Sequence, residues 1–443
     1  MKKFLFYFIQ LTILLTIVFL IVLSNQKIDF FWKGIVFTGN TSTLLIGLVI
    51  LIFIALIFQR IYLYIKQSPK RIKDSLKIKN YNKSFNAIIK AMAALYNNDD
   101  KELNFQSNIL EKLLKNNPIS IILRAEAAKK SKKFDIAENH YNTMLLNPDT
   151  KILGLRGLLE QNLKKQDYHH ALIYAEEIYN INPRLDWIYK TIIQIIVRTK
   201  NWHKLIEISK NAFNKRIISK TNYFKSISIA KYEIALIKES ISSIESSQLL
   251  KDANSDRPNF PPIVKKFANL LIQNNQLSKA KNLIFKCWSI EPHPMLFEEL
   301  IEISKRENSS IVSATSKLIK NNATSYDSII VLVKANIIEN NWIRSKELIK
   351  PVLTAKPNKT ICELMYEIEI GITGNAQKAN SWKNRAALGD IEKTWVCKNS
   401  GTIQEQWSSV SEGGFFDSLE WTWPKTYKLN QNNAAISEII ESN

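Results

Sequence analysis

Five histidines and three cysteines are the residues of this 443-residue chain whose types best suit metal or nucleophilic chemistry. The histidines are His140, His169, His170, His203 and His293. No two stand at His-x-x-x-His spacing, which would place two imidazoles on one helix face. His169 and His170 are adjacent, so on a helix they point in different directions and read as solvated surface. His293 lies in Glu291-Pro292-His293-Pro294, where two prolines fix the backbone around a ring able to ligate or to hydrogen-bond. The competing reading is a helix-breaking turn with a solvated ring. Cysteines at 287, 362 and 397 are odd in number and far apart, which excludes a disulfide framework and fits a reducing compartment. Cys287 (in LIFKCWSI) and Cys362 (in ICELMY) read as small core residues. There is no Gly-x-Gly-x-x-Gly and no Gly-Lys-Ser/Thr loop to cradle a phosphate, so a nucleotide or flavin site is not expected. These residues point to a protein that is not an enzyme and holds no cofactor.

Cys397 has its own setting. Trp395, Trp407, Trp421 and Trp423 fall close together in IEKTWVCKNSGTIQEQWSSVSEGGFFDSLEWTWP, where the composition changes sharply. This layout resembles a rubredoxin-type zinc ribbon, in which two Cys-x-x-Cys knuckles supply four thiolates. Here only Cys397 stands in a ligand position; its expected partner is Ser400, and the second knuckle reads Ser411-Glu412-Gly413-Gly414. One thiolate cannot hold zinc, so residues 391–428 are expected to form a metal-free ribbon held by Trp and Phe packing, followed by a flexible tail at 429–443.

The elements that carry these residues are helical. Only 11 Gly and 12 Pro argue against a sandwich or a Rossmann sheet, and beyond residue 70 apolar residues recur at i, i+3 and i+4 between Asn-rich breaks. Phe134/Ala137 recur as Tyr168/Ala171 and Trp202/Leu205, steps of 34 residues; one step back lies Asp100/Leu103. The phase is lost through 215–257 and resumes at Leu277/Ala280, Ile311/Ala314, Trp342/Ser345 and Ala376/Ala379. A helical period of 34 is the tetratricopeptide (TPR) signature. The aromatic opens the second helix of a pair, the small residue lets helices approach, and Pro148, Pro183 and Pro357 are expected to end second helices. Stacked pairs make a solenoid with a binding surface. Three prolines at 258, 261 and 262 mark the expected joint between solenoid segments 67–257 and 258–390.

The N-terminal region reads as a transmembrane hairpin over 1–66. Its spans lie at about 4–23 and 43–64, long apolar runs of the kind that cross a bilayer. The net charge is +21, from 61 Lys+Arg against 40 Asp+Glu, and eight of these charges fall net within 60–90. By the positive-inside rule both termini face the cytoplasm and the chain is a multi-pass protein of the cell inner membrane, in contact with the lipid bilayer. The remaining charge is spread thinly, without a basic-aromatic stripe, so nucleic acid is not an expected partner. The expected fold class is therefore all-α: a two-helix transmembrane hairpin, a TPR-like α-solenoid and a small Trp-rich ribbon.

The order of features carries a family resemblance. Degenerate TPRs with Pro183 to Trp187 and Asn201-Trp202, then Pro292-His293-Pro294, Leu364 to Glu369, Trp382 to Ala386 and Trp395-Val396-Cys397, resemble the HemY TPR proteins of proteobacteria, in their alphaproteobacterial branch with a C-terminal ribbon. The resemblance implies a membrane scaffold in haem (porphyrin) biosynthesis, with haem-pathway enzymes as protein partners on the solenoid and no established catalytic residues. Two alternatives stand beside it: direct haem or porphyrin binding with His293 as ligand, and a TPR regulator of cell-envelope assembly. Repeat packing is assigned to Phe134, Ala137, Tyr168, Ala171, Trp202, Leu277, Ala280, Trp342 and Ala379.

Overall fold

The structure is a computed structural model. It describes residues 27–354, 357–387 and 391–424, with isolated positions between 12 and 23 and at 389. The chain divides into two compact units, residues 1–140 and 141–443.

The first unit opens with an antiparallel hairpin of β1 (Lys27–Trp32) and β2 (Ile35–Asn40). Its two-residue turn, Lys33-Gly34, has φ of 52° and 87°, the left-handed pair that a right-twisted hairpin requires. One continuous helix of 56 residues follows, α1 (Thr41–Tyr96). The transmembrane expectation is corrected here: among the described residues no helix is long and apolar enough to cross a membrane. The expected first span, 4–23, lies almost entirely outside the described residues. The expected second span, 43–64, lies within α1. The run is one stretch of a much longer helix whose later turns carry Lys73, Lys77, Lys79, Lys83 and Lys90. The multi-pass inner-membrane location and the bilayer as partner are withdrawn on the same finding.

From the end of α1 onward the molecule is a succession of helix pairs. In the first unit α1 pairs with α2 (Asp100–Leu113), and α3 (Pro118–Lys130) and α4 (Phe134–Met144) follow in sequence; in the second unit α5 (Pro148–Lys164) pairs with α6 (Tyr168–Ile181), and α7 (Asp186–Arg198) with α8 (Trp202–Asn214). Next come α9 (Lys220–Glu239) with α10 (Ser243–Asp256) and α11 (Pro261–Gln273) with α12 (Leu277–Ile290). The last are α13 (Phe297–Arg306) with α14 (Ile311–Leu318), α15 (Tyr326–Ile338) with α16 (Trp342–Leu348), and α17 (Lys359–Thr373) with α18 (Ala376–Ala386).

The turns inside the pairs other than α9–α10 show the period directly. Asn98, Lys132, Gln166 and Lys200 all have φ between 52° and 59°, at steps of 34. Asn275, Asn308, Asn340 and Gly374 repeat the left-handed turn at steps of 33, 32 and 34. A left-handed residue just past a helix end satisfies the last carbonyls while reversing the chain. The phase loss has a simple cause: α9 has 20 residues where α7 and α11 have 13, seven extra within one helix. The pairing itself continues. Pro118, Pro148 and Pro261 stand at the start of α3, α5 and α11, each in the first turn where a missing N–H costs nothing. Pro148 thus opens a first helix, and the preceding α4 has already ended at Met144.

Packing follows the repeat. Ala137, Ala171, Leu205, Ala280 and Ala379 are fully buried, Trp202 is buried, and Phe134 is exposed at its edge. Two glycines mark where an aromatic ring needs the backbone itself. A Cβ on Gly157 of α5 would lie 2.3 Å from the Tyr141 ring, and one on Gly371 of α17 would lie 2.2 Å from Trp342. The second unit has continuous cores around Ile188, Ile192 and Leu205, around Trp288, Leu296 and Leu300, and around Ile330, Ile361 and Met365. First helices also pack on first helices, α11 on α13 and α15 on α17, so they form a common face.

The chain ends in a three-stranded antiparallel sheet, β3 (Thr394–Cys397), β4 (Ile403–Gln404) and β5 (Leu419–Thr422), in the order β4-β3-β5. The all-α expectation is corrected by this sheet and by the N-terminal hairpin. Residues 425–443, which include the expected tail, lie outside the described residues.

Candidate functional site

The residues with unusual chemistry gather where the C-terminal sheet meets the helices. Within the sheet, Trp395 pairs with Trp421 and Cys397 with Leu419. Two tight turns stand where a zinc ribbon has its knuckles: Gly401 N–H donates to the Cys397 carbonyl at 2.8 Å, and Gly414 N–H to the Ser411 carbonyl at 2.7 Å. Cys397 is buried, with its Sγ 3.6 Å from Ser411 Oγ and 3.3 Å from Ser418 Oγ. Burial raises the thiol, but hydrogen bonds from Ser400, Ser418 and Ser411 outweigh it and bring it down to about 6. Ser418 comes from the approach to β5, a contribution the knuckle spacing did not reveal. Among the described residues no group of three or more His, Cys, Asp or Glu could hold a metal ion.

His293 is brought to this sheet by the turn between α12 and α13. It is neither a solvated ring nor an open one: only 2% of its surface is exposed. Its Nδ1 accepts the Met295 N–H at 3.1 Å, capping the short 3-10 turn Pro294–Leu296. The ring stacks on Trp395 at 5.0 Å and lies against Trp421 at 4.4 Å. Burial, then the positive charges of Lys393 and Lys265, push its pKa down to about 3. The ring is neutral, and because Nδ1 is an acceptor the proton sits on Nε2, which has no hydrogen-bond partner among the described residues.

The sheet is seated on the helices by a series of separate contacts. Trp407 meets the Tyr232 ring of α9 at 5.4 Å and Phe260, just before α11, at 5.3 Å. Arg257 donates to Asp417 at 2.9 Å and also lies 3.5 Å over the Phe260 ring. Lys393 pairs with buried Asp327 of α15 at 2.6 Å, and Trp423 stands edge-on to Tyr326 at 5.2 Å. Glu392 accepts the Thr360 N–H at the start of α17. Val410 and Phe416 pack on the core of α5 to α8. Most of the helical partners belong to first helices or to the turns that lead into them.

The other singled-out residues stay apart from this junction. His170 holds Asp167 at 2.8 Å on an exposed helix start, with His169 edge-on at 5.5 Å. Cys287 is buried, its thiol pushed up to about 12 by burial, and donates to the Asn259 carbonyl at 3.3 Å. Cys362 is likewise buried and raised. Sequence spacing could not find the Arg257–Asp417 and Asp327–Lys393 pairs, which join residues 160 and 66 positions apart.

This geometry defines a TPR-like helical repeat with a small three-stranded sheet packed on it. No protein-family model matches the chain, and no curated protein matches it. Solved structures that it resembles include two named as TPR proteins. The C-terminal part of a TPR repeat-containing protein from Cytophaga hutchinsonii has 17% identity and a TM-score of 0.29, over 55% of this chain and 99% of that one. A thermophilic TPR protein of Thermus thermophilus has 14% identity and a TM-score of 0.22, over 42% and 98%. A Naa15/Naa10 structure bound to HypK-THB has 14% identity and a TM-score of 0.38, over 75% of this chain and 54% of that one.

Proposed function

We propose that the chain is a non-enzymatic scaffold that binds other proteins through the face made by its first helices. The observation that carries this is the face itself, built from successive first helices and lined by side chains that reach between pairs. Arg156 of α5, for example, lies 5.2 Å over the Trp187 ring of α7. A guanidinium on an indole leaves both a charge and an apolar plate on the surface, the residue types that dominate protein interfaces. The motif order shared with the HemY TPR proteins extends this proposal to enzymes of haem biosynthesis as partners. It does not extend to haem ligation by His293, whose ring is enclosed by two indoles and whose Nε2 carries a proton.

The test is site-specific photocrosslinking in cells, with the crosslinker at exposed Lys190 or Gln194, one and two turns on from Trp187, and at exposed Lys210 on the second helix α8. Discrete protein adducts are expected from 190 and 194 and not from 210. Adducts from none of the three, or from all equally, would overturn the scaffold reading.

A further inference from the structure

The ribbon differs from the rest of the chain in charge. Residues 391–424 carry five acids (Glu392, Glu405, Glu412, Asp417, Glu420) and two bases (Lys393, Lys398), a net charge of −3 in a chain of +21. The helical surface beneath it presents bases to it. Two cavities remain along the seam, of about 490 Å³ and about 270 Å³. The helices contribute Lys225 and Arg257 to the first and Lys265 and Lys266 to the second. Among the described residues that line them, the only acids from the helical side are Glu291 and Glu299. Burial raises the pKa of both carboxyls.

Lys265 and Lys266 do have partners on neighbouring helices, Glu298 at 2.5 Å and Glu239 at 2.7 Å. Exposed pairs of that kind screen a lysine without cancelling it. The ribbon answers this face with Asp417 on Arg257 and with indoles in apolar clefts, Trp407 between Tyr232 and Phe260, Trp395 and Trp421 around His293.

We infer that the first-helix face from α9 to α15 is a docking surface for an acidic, tryptophan-bearing segment of a partner protein, and that residues 391–424 occupy it in cis as a stand-in for that segment. This deepens the scaffold reading and rests on it. The ribbon shows which chemistry the face accepts, and it sets a threshold: a partner binds in proportion to the fraction of molecules whose ribbon has left. The stretch of face at α5 and α7, with Arg156 and Trp187, carries none of the indole contacts of the ribbon. A partner could engage there first and then replace the ribbon further along.

The probe is a fluorescein-labelled synthetic peptide of residues 403–424, titrated with the purified full-length chain. Two variants loosen the ribbon by unrelated routes, Asp417→Arg at the Arg257 pair and Trp407→Ala in the Tyr232–Phe260 cleft. Hydrogen exchange across 391–424 reports whether the ribbon has left. Both variants should lose protection there and bind the peptide at least tenfold more tightly than the wild type. Adding Arg257→Glu and Lys265→Glu to Trp407→Ala should abolish that gain. Equal peptide affinity in wild type and variants, unchanged protection in both variants, or equally tight binding of a scrambled peptide of the same composition would each overturn the inference. If the peptide fails while crosslinks at 190 and 194 persist, only the ribbon's role falls and the scaffold stands.

Discussion

The solenoid and the ribbon are stabilised in different ways. In the solenoid each pair repeats the same few contacts: a left-handed turn, a small buried residue, and an apolar strip shared with the next pair. Stability in such a stack is close to a sum over neighbours, so no single residue is unique, yet a large core deletion weakens every neighbour it touches. The ribbon has no neighbour of its own kind. Its sheet is three short strands, and its core is little more than Trp395, Cys397 and Leu419, closed by Met295 from the helices. A module of that size cannot bury enough apolar surface alone, and here the helices supply the burial it lacks. The difference teaches that a sheet too small to hold itself persists where another surface closes its core.

The strongest way to break this comparison is to empty one large core position in each region. Trp288 is fully buried between pairs, and its Nε1–H donates to Ser328 at 3.1 Å. Trp288→Ala should cost about 3–5 kcal/mol and lower the main helical melting transition followed by far-UV circular dichroism. Trp395→Ala should instead release the ribbon, with loss of hydrogen-exchange protection over 391–424 and a helical transition that barely moves. A common shift in both variants would show that the two regions unfold as one.

A smaller effect separates them by acidity. His293 has a pKa near 3 when docked and its ordinary value of 6.5 when released. Its folded value is the lower one, so its contribution to docking is complete above pH 6.5 and declines as pH falls toward 3. The Cys397 thiol, at about 6 when folded and 9 when free, is held down by serines of the ribbon itself, so it stabilises the ribbon's own fold most strongly at alkaline pH and loses that contribution as pH falls through 6. Tryptophan fluorescence should therefore report ribbon release on mild acidification, before the helices melt. His293→Gln should flatten the response between about pH 6.5 and 5. A profile unchanged in that variant would remove His293 from the seating.

The smallest expected effect lies in the repeat. Asn201 caps α8 by accepting the Lys204 N–H at 3.2 Å. Asn201→Ala should cost about 1 kcal/mol, read as a small drop in melting temperature with no change in ribbon protection. A loss of ribbon protection there would mean that the end of α7 and the ribbon are coupled, through Arg198 beside Gly414.

Much of the solenoid was legible because its signals are local. The spacing of Phe134, Tyr168 and Trp202, then of Leu277, Ile311, Trp342 and Ala376, places the first residue of every second helix in those pairs. The lost phase at 215–257 is a seven-residue lengthening of α9, which shifts the period without removing the pair. The transmembrane reading rested on apolar runs and flanking charge, whereas among the described residues no helix is long and apolar enough to cross a membrane. At His293 the flanking prolines signalled a fixed backbone, but both readings of its ring missed the burial, since the indoles that enclose it come from residues 395 and 421.

The sequence by itself determined the period, the helix starts, the small residues between helices and the lone cysteine of the Trp-rich module. All of these depend on residue type and on spacing within a few tens of residues. Only the tertiary structure decided that Asp417 meets Arg257 across the seam, that His293 is neutral and enclosed, and that Ser418 stands beside Cys397. The physical reason is distance along the chain. Contacts such as Arg257–Asp417 join residues 160 apart and occur once. A contact without a period leaves no pattern to read, and it forms only because the solenoid, already built by its repeats, brings the two surfaces together.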